Sequence, residues 1–199
     1  MEITKRPFID FSRIFDIIQY QKEKYPNTAA LNAFADGKWR PSAIQEIQDR
    51  ADAMACWFMS NGYVKGDKIV LVPIMGSPEW MILDYACQQL GVITVPVHPT
   101  SRPEEIEVIL SETEAKHCVT ADVALYNKFI SLAKMRSMNL LIHHLEPGRE
   151  GYFEPMQLTK ALPEESDALN KIKKDITEED ILTILYTSGS SGTPKGVVL

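Results

Sequence analysis

The chain has 199 residues, 45% of them hydrophobic and 24% charged, with a formal net charge of -6 and a pI of about 5.3. This is the make-up of an ordinary globular protein with enough apolar material to bury a core, and its acidic balance argues against a nucleic-acid binder, whose partner demands a basic surface. Met1-Glu2-Ile3-Thr4-Lys5-Arg6-Pro7 lacks the apolar core of a signal peptide and no later run approaches the length of a membrane span, so the chain reads as cytoplasmic. Contact with a membrane surface stays open, although no strongly basic amphipathic helix advertises it. Cys56, Cys87 and Cys118 are an odd, well-separated set, which suits a reducing compartment better than a disulfide framework.

Phe8, Phe11, Ile14, Phe15 and Ile18 recur at helical spacing and predict an amphipathic helix that ends near Pro26. Asp36-Gly37, between the stretches 29–35 and 38–40, is a hairpin signal. Ser42 with Gln45 reads as a capping box, followed by a helix whose buried face runs through Ile44, Ile47, Ala51, Met54 and Phe58 and stops at Asn61-Gly62.

From Lys68 the pattern alternates strand and helix. The apolar run 69–74 is followed by a helix capped at Ser77, with Pro78 in its first turn and Gly91 at its end, and then by the run 92–97. Ser101 and Glu104 predict a second capping box, with Glu104, Glu105 and Glu107 near the positive end of the helix, before a strand over 117–120. A helix through Leu125, Phe129 and Leu132 and an apolar run at 140–142 extend the series. Strands apolar on both faces with crossover helices predict an α/β fold, a mostly parallel sheet with flanking helices.

His98 is flanked by Pro96 and Pro99 with no partner in reach, so a structural role outweighs that of a general base. His143 and His144 alternate faces if extended, which argues against joint metal ligation, and no metal site is expected in this chain. Residues 146–161 read as a surface excursion and 175–180 as a polar turn feeding Ile181.

The most informative stretch closes the chain. Tyr186-Thr187-Ser188-Gly189-Ser190-Ser191-Gly192-Thr193-Pro194-Lys195-Gly196 lies between apolar runs at 181–185 and 197–199. Glycines let a backbone approach an anion and turn successive N–H groups into one nest. Thr187, Ser188, Ser190, Ser191 and Thr193 add hydroxyl donors, and Lys195 adds a compact charge suited to terminal phosphates. The spacing is not Gly-x-x-x-x-Gly-Lys-[Ser/Thr], because Gly196 follows Lys195 and leaves no hydroxyl to hold magnesium in that manner. The β-branched Val197-Val198 predicts that the loop joins two strands. A Gly/Ser linker is the bland alternative, but linkers seldom sit between apolar strands or carry Pro-Lys.

The stretch 186–197 closely resembles the nucleotide-phosphate loop of the adenylate-forming superfamily, which includes acyl-CoA synthetases, firefly luciferase and peptide-synthetase adenylation domains. It departs at Ser191, where Thr is commoner and the hydroxyl is kept. Pro78-Glu79-Trp80, the stretch 91–97, Pro103-Glu104-Glu105-Ile106 and Glu114-Ala115-Lys116 are similar to the same superfamily. Thr94-Val95-Pro96-Val97-His98-Pro99-Thr100 resembles its long-chain fatty acyl-CoA ligase branch in particular.

The resemblance implies the N-terminal part of the large AMP-binding domain of an ATP-dependent fatty acid:CoA ligase, with Mg2+ accompanying ATP and with CoA as cosubstrate. It implies that Thr187, Ser188, Gly189, Ser190, Ser191, Gly192, Thr193 and Lys195 meet the β,γ-phosphates, Lys195 being the catalytic candidate, while Pro194 and Gly196 shape the turn. The family's adenine, ribose and magnesium contacts lie downstream of such a loop, so the chain is read as an incomplete piece that is inactive alone. Its parts are an N-terminal helix (1–28), hairpin and long helix (29–66), βαβ region (67–146), excursion (147–180) and strand, loop and start of the next strand (181–199). A synthetase for amino or aryl acids, and a non-catalytic nucleotide-binding or partner-docking module, are the alternatives.

Overall fold

The computed structural model describes residues 11–35, 37–72, 77–187 and 193–199. Its centre is a four-stranded parallel sheet of β3 (Lys68–Val72), β4 (Ile93–Pro96), β5 (His117–Thr120) and β6 (Leu141–His144), in the order β4-β3-β5-β6. The connections are helices α3 (Pro78–Gln88), α4 (Pro103–Thr113) and α5 (Val123–Met135). A short 3-10 helix (Glu154–Gln157) follows β6. Strands β3, β4 and β5 are buried on both faces, while β6 at the sheet edge is part exposed. Ile69, Leu71 and Val119 face a layer that contains α2 (Ile44–Ser60) and α3, whereas Val70, Val72, Val95 and Cys118 face α4 and α5.

The second half of helix α2 is buried on most sides, while Gln45 and Glu46 in its first turn are exposed. Ala53, Ala55 and Cys56 are enclosed together with the expected stripe of Ile47, Ala51, Met54 and Phe58, and each large side chain among them adds about 1.5–3 kcal/mol relative to exposure. The three cysteines are free and buried, and burial pushes the Cys56 thiol up to about 11. A hairpin of β1 (Leu31–Ala35) and β2 (Lys38–Ser42) precedes α2, and Gly37 has φ +73° at its turn. Gly91 is required twice over. Its φ is +67°, and a Cβ there would lie 2.9 Å from both Ile176 Cδ1 and Lys65 Cγ.

Several local expectations are corrected. Helix α1 spans Asp16–Lys24, so it begins after most of the aromatic stripe. The guanidinium of Arg13 grips both carboxylate oxygens of Asp16 at 2.8 Å and also donates to the carbonyl of Lys173, which ties residues 13–16 to the far end of the chain. Phe8 lies outside the described residues. Ser42 is the last residue of β2, opposite Leu31, and Ala43 is the cap position of α2 without a side-chain cap. The second capping box is one residue later than expected. Glu105 Oε2 accepts the Arg102 N–H at 2.8 Å, because Pro103 takes the first helical position. Ser77 does stand at the cap of α3, but its hydroxyl donates to Glu79.

The excursion over 146–161 is pinned down by Phe153 and Met156, both buried against α2 and the sheet. After it comes helix α6 (Pro163–Lys174), which the apolar pattern does not announce. Its ends are charge-matched, with Glu164 and Glu165 first and Lys171, Lys173 and Lys174 last. Lys173 reaches Asp52 of α2 at 3.1 Å. The polar turn at 175–180 is held by Lys65, which pairs with Asp180 at 2.7 Å.

A buried hydrogen-bonded chain crosses the first layer. The Tyr63 hydroxyl meets His117 Nδ1 at 2.6 Å, and His117 Nε2 meets His143 Nδ1 at 2.9 Å. The neutral imidazole of His117 then donates once and accepts once within it. Burial, with the neighbouring His143 second, pushes His117 from 6.5 down to about 3. His144 points to the other face, with Nε2 2.8 Å from the Glu150 carbonyl, so the pair alternates as expected.

Between pH 6.5 and 3 the unfolded His117 binds a proton that the folded one refuses, so its contribution is complete above about pH 7 and falls as pH drops. Urea denaturation should show a loss of about 2 kcal/mol between pH 7 and pH 5 from this group. His117→Gln should flatten that slope; an unchanged slope would remove the group from the account.

Candidate functional site

The last two strands, β7 (Ile184–Thr187) and β8 (Lys195–Val198), form an antiparallel hairpin with the pairs Ile184–Val198, Leu185–Val197, Tyr186–Gly196 and Thr187–Lys195. The mouth of this hairpin therefore pairs Thr187 with Lys195 across the two strands. Thr187, Thr193 and Lys195 are all exposed, and no carboxylate among the described residues pairs with Lys195. Ser188, Gly189, Ser190, Ser191 and Gly192 lie outside the described residues. Gly196 belongs to β8 and not to the turn. Its φ is not left-handed; instead, a Cβ there would come within 3.1 Å of both Tyr186 Cζ and Ile184 Cγ2. What this glycine supplies is room for the Tyr186 ring.

The hairpin is fastened to the edge of β4. Thr183 forms a parallel bridge with Thr94, the Thr94 N–H donates to the Leu182 carbonyl at 3.3 Å, and the Thr183 hydroxyl donates to the Thr94 carbonyl at 2.9 Å. Because β7 runs parallel to β4, Thr187 and Lys195 lie at the carboxyl ends of the sheet strands, the end at which open α/β sheets bind ligands. They lie beyond the β4 edge and not at the β3/β5 reversal of strand order, where the Thr120 hydroxyl is already engaged with the carbonyls of Asp122 and His143.

Beneath the fastening point sits Asp84. Its carboxylate accepts from the Thr94 hydroxyl at 2.9 Å and from the Gln88 amide at 2.7 Å. Burial pushes its pKa up, and those two donors oppose the shift. Tyr186 reaches across to α4, where its hydroxyl donates to Glu112 Oε2 at 2.9 Å. Burial first and Glu112 second push that phenol up to about 12. Asp84 and Glu112 were not expected from the sequence. Tyr186 and Glu112 are 74 residues apart, and no local pattern links them.

His98 follows β4 and is exposed, with Nδ1 2.8 Å from the Thr100 hydroxyl, which agrees with a structural role. Among the described residues no group of three or more His, Cys, Asp or Glu could hold a metal ion, and no helix is long and apolar enough to cross a membrane.

The sequence model of the AMP-binding enzyme family matches residues 18–199. The chain belongs to that family. The peroxisomal long chain acyl-CoA synthetase 7 of Arabidopsis thaliana is 28% identical over 189 residues, a match that covers 90% of this chain and 26% of that protein. Nonribosomal peptide synthetase 8 of Aspergillus fumigatus is 26% identical over 200 residues, covering 100% of this chain and 2% of that protein. A solved structure from a study of fatty acyl-adenylate ligases of E. coli and L. pneumophila superposes with a TM-score of 0.68 at 20% identity, over 96% of this chain and 32% of that one. The fold is therefore that of the adenylate-forming enzymes, and the chain spans about a quarter of the length of the plant relative.

Thr94→Val should cost about 2 kcal/mol at pH 7 in urea denaturation, since it removes a donor from a buried carboxylate while keeping shape. The deficit should narrow in acid, where Asp84 protonates and no longer needs the donor. A deficit independent of pH would mean that Asp84 is not the partner that matters.

Proposed function

We propose that this chain supplies the pyrophosphate-holding part of an ATP-dependent long-chain fatty acid:CoA ligase. The observation that carries the reading is the Thr187–Lys195 pair at the mouth of the β7–β8 hairpin, on the ligand-binding end of the sheet. In the proposed reaction the acid's carboxylate oxygen attacks the ATP α-phosphorus and pyrophosphate departs, leaving an acyl-adenylate. The CoA thiol then takes the acyl group and releases AMP.

Negative charge grows on the departing pyrophosphate as the bond to the α-phosphorus breaks. Donors fixed in advance around it lower that barrier without reorganising. Lys195 supplies a full charge, and Thr187 and Thr193 supply hydroxyls. Ser188, Gly189, Ser190, Ser191 and Gly192 complete the cradle in this reading, with Gly196 leaving room for the Tyr186 ring. The described residues suit a phosphate and offer no carboxylate cluster for a metal, so Mg2+ would arrive with the nucleotide, where it supplies charge neutralisation. A cytoplasmic location is part of the same reading and is supported by three free thiols.

A second reading has a specific observation in its favour, because the peptide synthetase matches along the whole chain. Activation of an amino or aryl acid would use the same loop. A panel of fatty, aryl and amino acids in ATP–pyrophosphate exchange with the full-length protein separates the two.

In the full-length protein, Lys195→Ala should lower adenylation by about 100-fold. It should spare conversion of supplied acyl-adenylate to acyl-CoA. Equal loss in both half-reactions would count against the assigned role. Residues 1–199 alone should form no acyl-adenylate from ATP and a fatty acid, and mass spectrometric detection of that product would overturn the expectation.

A further inference from the structure

We infer that Glu112 and Tyr186 are positioning residues that clasp the β7–β8 hairpin to α4 and so fix the placement of Thr187 and Lys195 for nucleotide phosphate. The inference rests on the reading of this hairpin as a phosphate site and names a device that the reading does not contain. Three contacts converge on one side chain. The Tyr186 hydroxyl donates to Glu112 Oε2 at 2.9 Å. The Tyr186 ring, like Ile184, packs against the layer that α4 and α5 build on the sheet. The same ring leans over Gly196, its cross-strand partner, so closely that a Cβ there would meet Cζ at 3.1 Å and Oη at 3.3 Å.

The geometry explains why one hydrogen bond can matter at the site. Tyr186 and Gly196 form the pair next to Thr187 and Lys195, so a ring that is held still fixes both strands one residue from the mouth. The hairpin has little else to hold it at that end. Its tie to β4 lies at Thr183, just before β7 and four residues from Thr187, and β8 is exposed along its whole length. A two-stranded hairpin with one free strand has marginal rigidity of its own. A phenol anchored to a helix carboxylate supplies the missing constraint, because hydrogen bonds to charged acceptors are the stronger kind.

The test uses the full-length protein and ATP–pyrophosphate exchange. Tyr186→Phe and Glu112→Ala should each raise the KM for ATP about five-fold, with the KM for the acid and the thermal midpoint little changed. Glu112→Gln, which keeps an acceptor oxygen, should restore most of the loss. The double variant Glu112→Ala/Tyr186→Phe should be no worse than the poorer single, as two ends of one interaction require. Gly196→Ala should reproduce the same phenotype by displacing the ring.

Losses that multiply in the double variant, or an equal rise in KM for the acid, would overturn the clasp. Backbone amide exchange of 184–187 and 195–198, read without nucleotide, should accelerate in Glu112→Ala and Tyr186→Phe but not in Glu112→Gln. Unchanged exchange would also overturn it. Absence of pyrophosphate exchange in the unsubstituted protein would instead sink the ligase reading, and the amide exchange would still decide the clasp.

Discussion

Strand β4 ends the parallel sheet with one backbone edge turned away from β3, and a bare edge of that kind has to be paired or covered. Here the covering is done by Leu182 and Thr183, through one bridge, one backbone hydrogen bond and one threonine hydroxyl. The β7–β8 hairpin is tied to the α4 and α5 layer through Ile184 and Tyr186 and to the sheet edge at that narrow join. Thr94 serves both sides of it, since its backbone receives the hairpin while its hydroxyl satisfies Asp84 below. Thr94 therefore couples the base of the hairpin to the end of α3.

A buried carboxylate under such a join is an uncommon choice, because burial disfavours its charge. The two donors to Asp84 come from different elements, Gln88 from the end of α3 and Thr94 from β4. Charge-assisted bonds of this sort lock a helix end to a strand in one relative position, where apolar packing alone would allow sliding. The edge that receives the hairpin is thereby tied to the end of α3.

The sheet was legible chiefly through β3 and β4, whose buried faces give the apolar runs at Ile69 and Ile93; β5 and β6 carry His117, Thr120, His143 and His144 and were read from shorter apolar stretches. The starts of α2 and α4 were legible to within a residue or two, whereas α1 begins well after the start of its apolar stripe. Ser42 and Ser101 carry the right side chains for caps, but Ser42 is claimed by a strand and Pro103 moves the α4 cap to Arg102. Helix α6 escaped notice because only Leu169 along it is fully buried, so its apolar period is faint and its charge-matched ends are the better signal.

Phe153 and Met156 turn an apparently polar excursion into an anchored one, which composition averaged over 16 residues conceals. Of the site, the donor-rich loop was plain in the sequence. Its supports were not, since Tyr186 meets Glu112 across 74 residues and Thr183 meets Thr94 across 89.

The three buried thiols have a use beyond packing. Cys56 and Cys87 lie in the layer of α2 and α3, whereas Cys118 faces α4 and α5 on the opposite side of the sheet. Burial holds all three as neutral thiols, the form that does not attack alkylating reagents. Each can react only when the layer around it opens. The molecule thus carries its own pair of clocks, one on each face of the sheet, and the order in which these cysteines become labelled would time which half of the core breathes first.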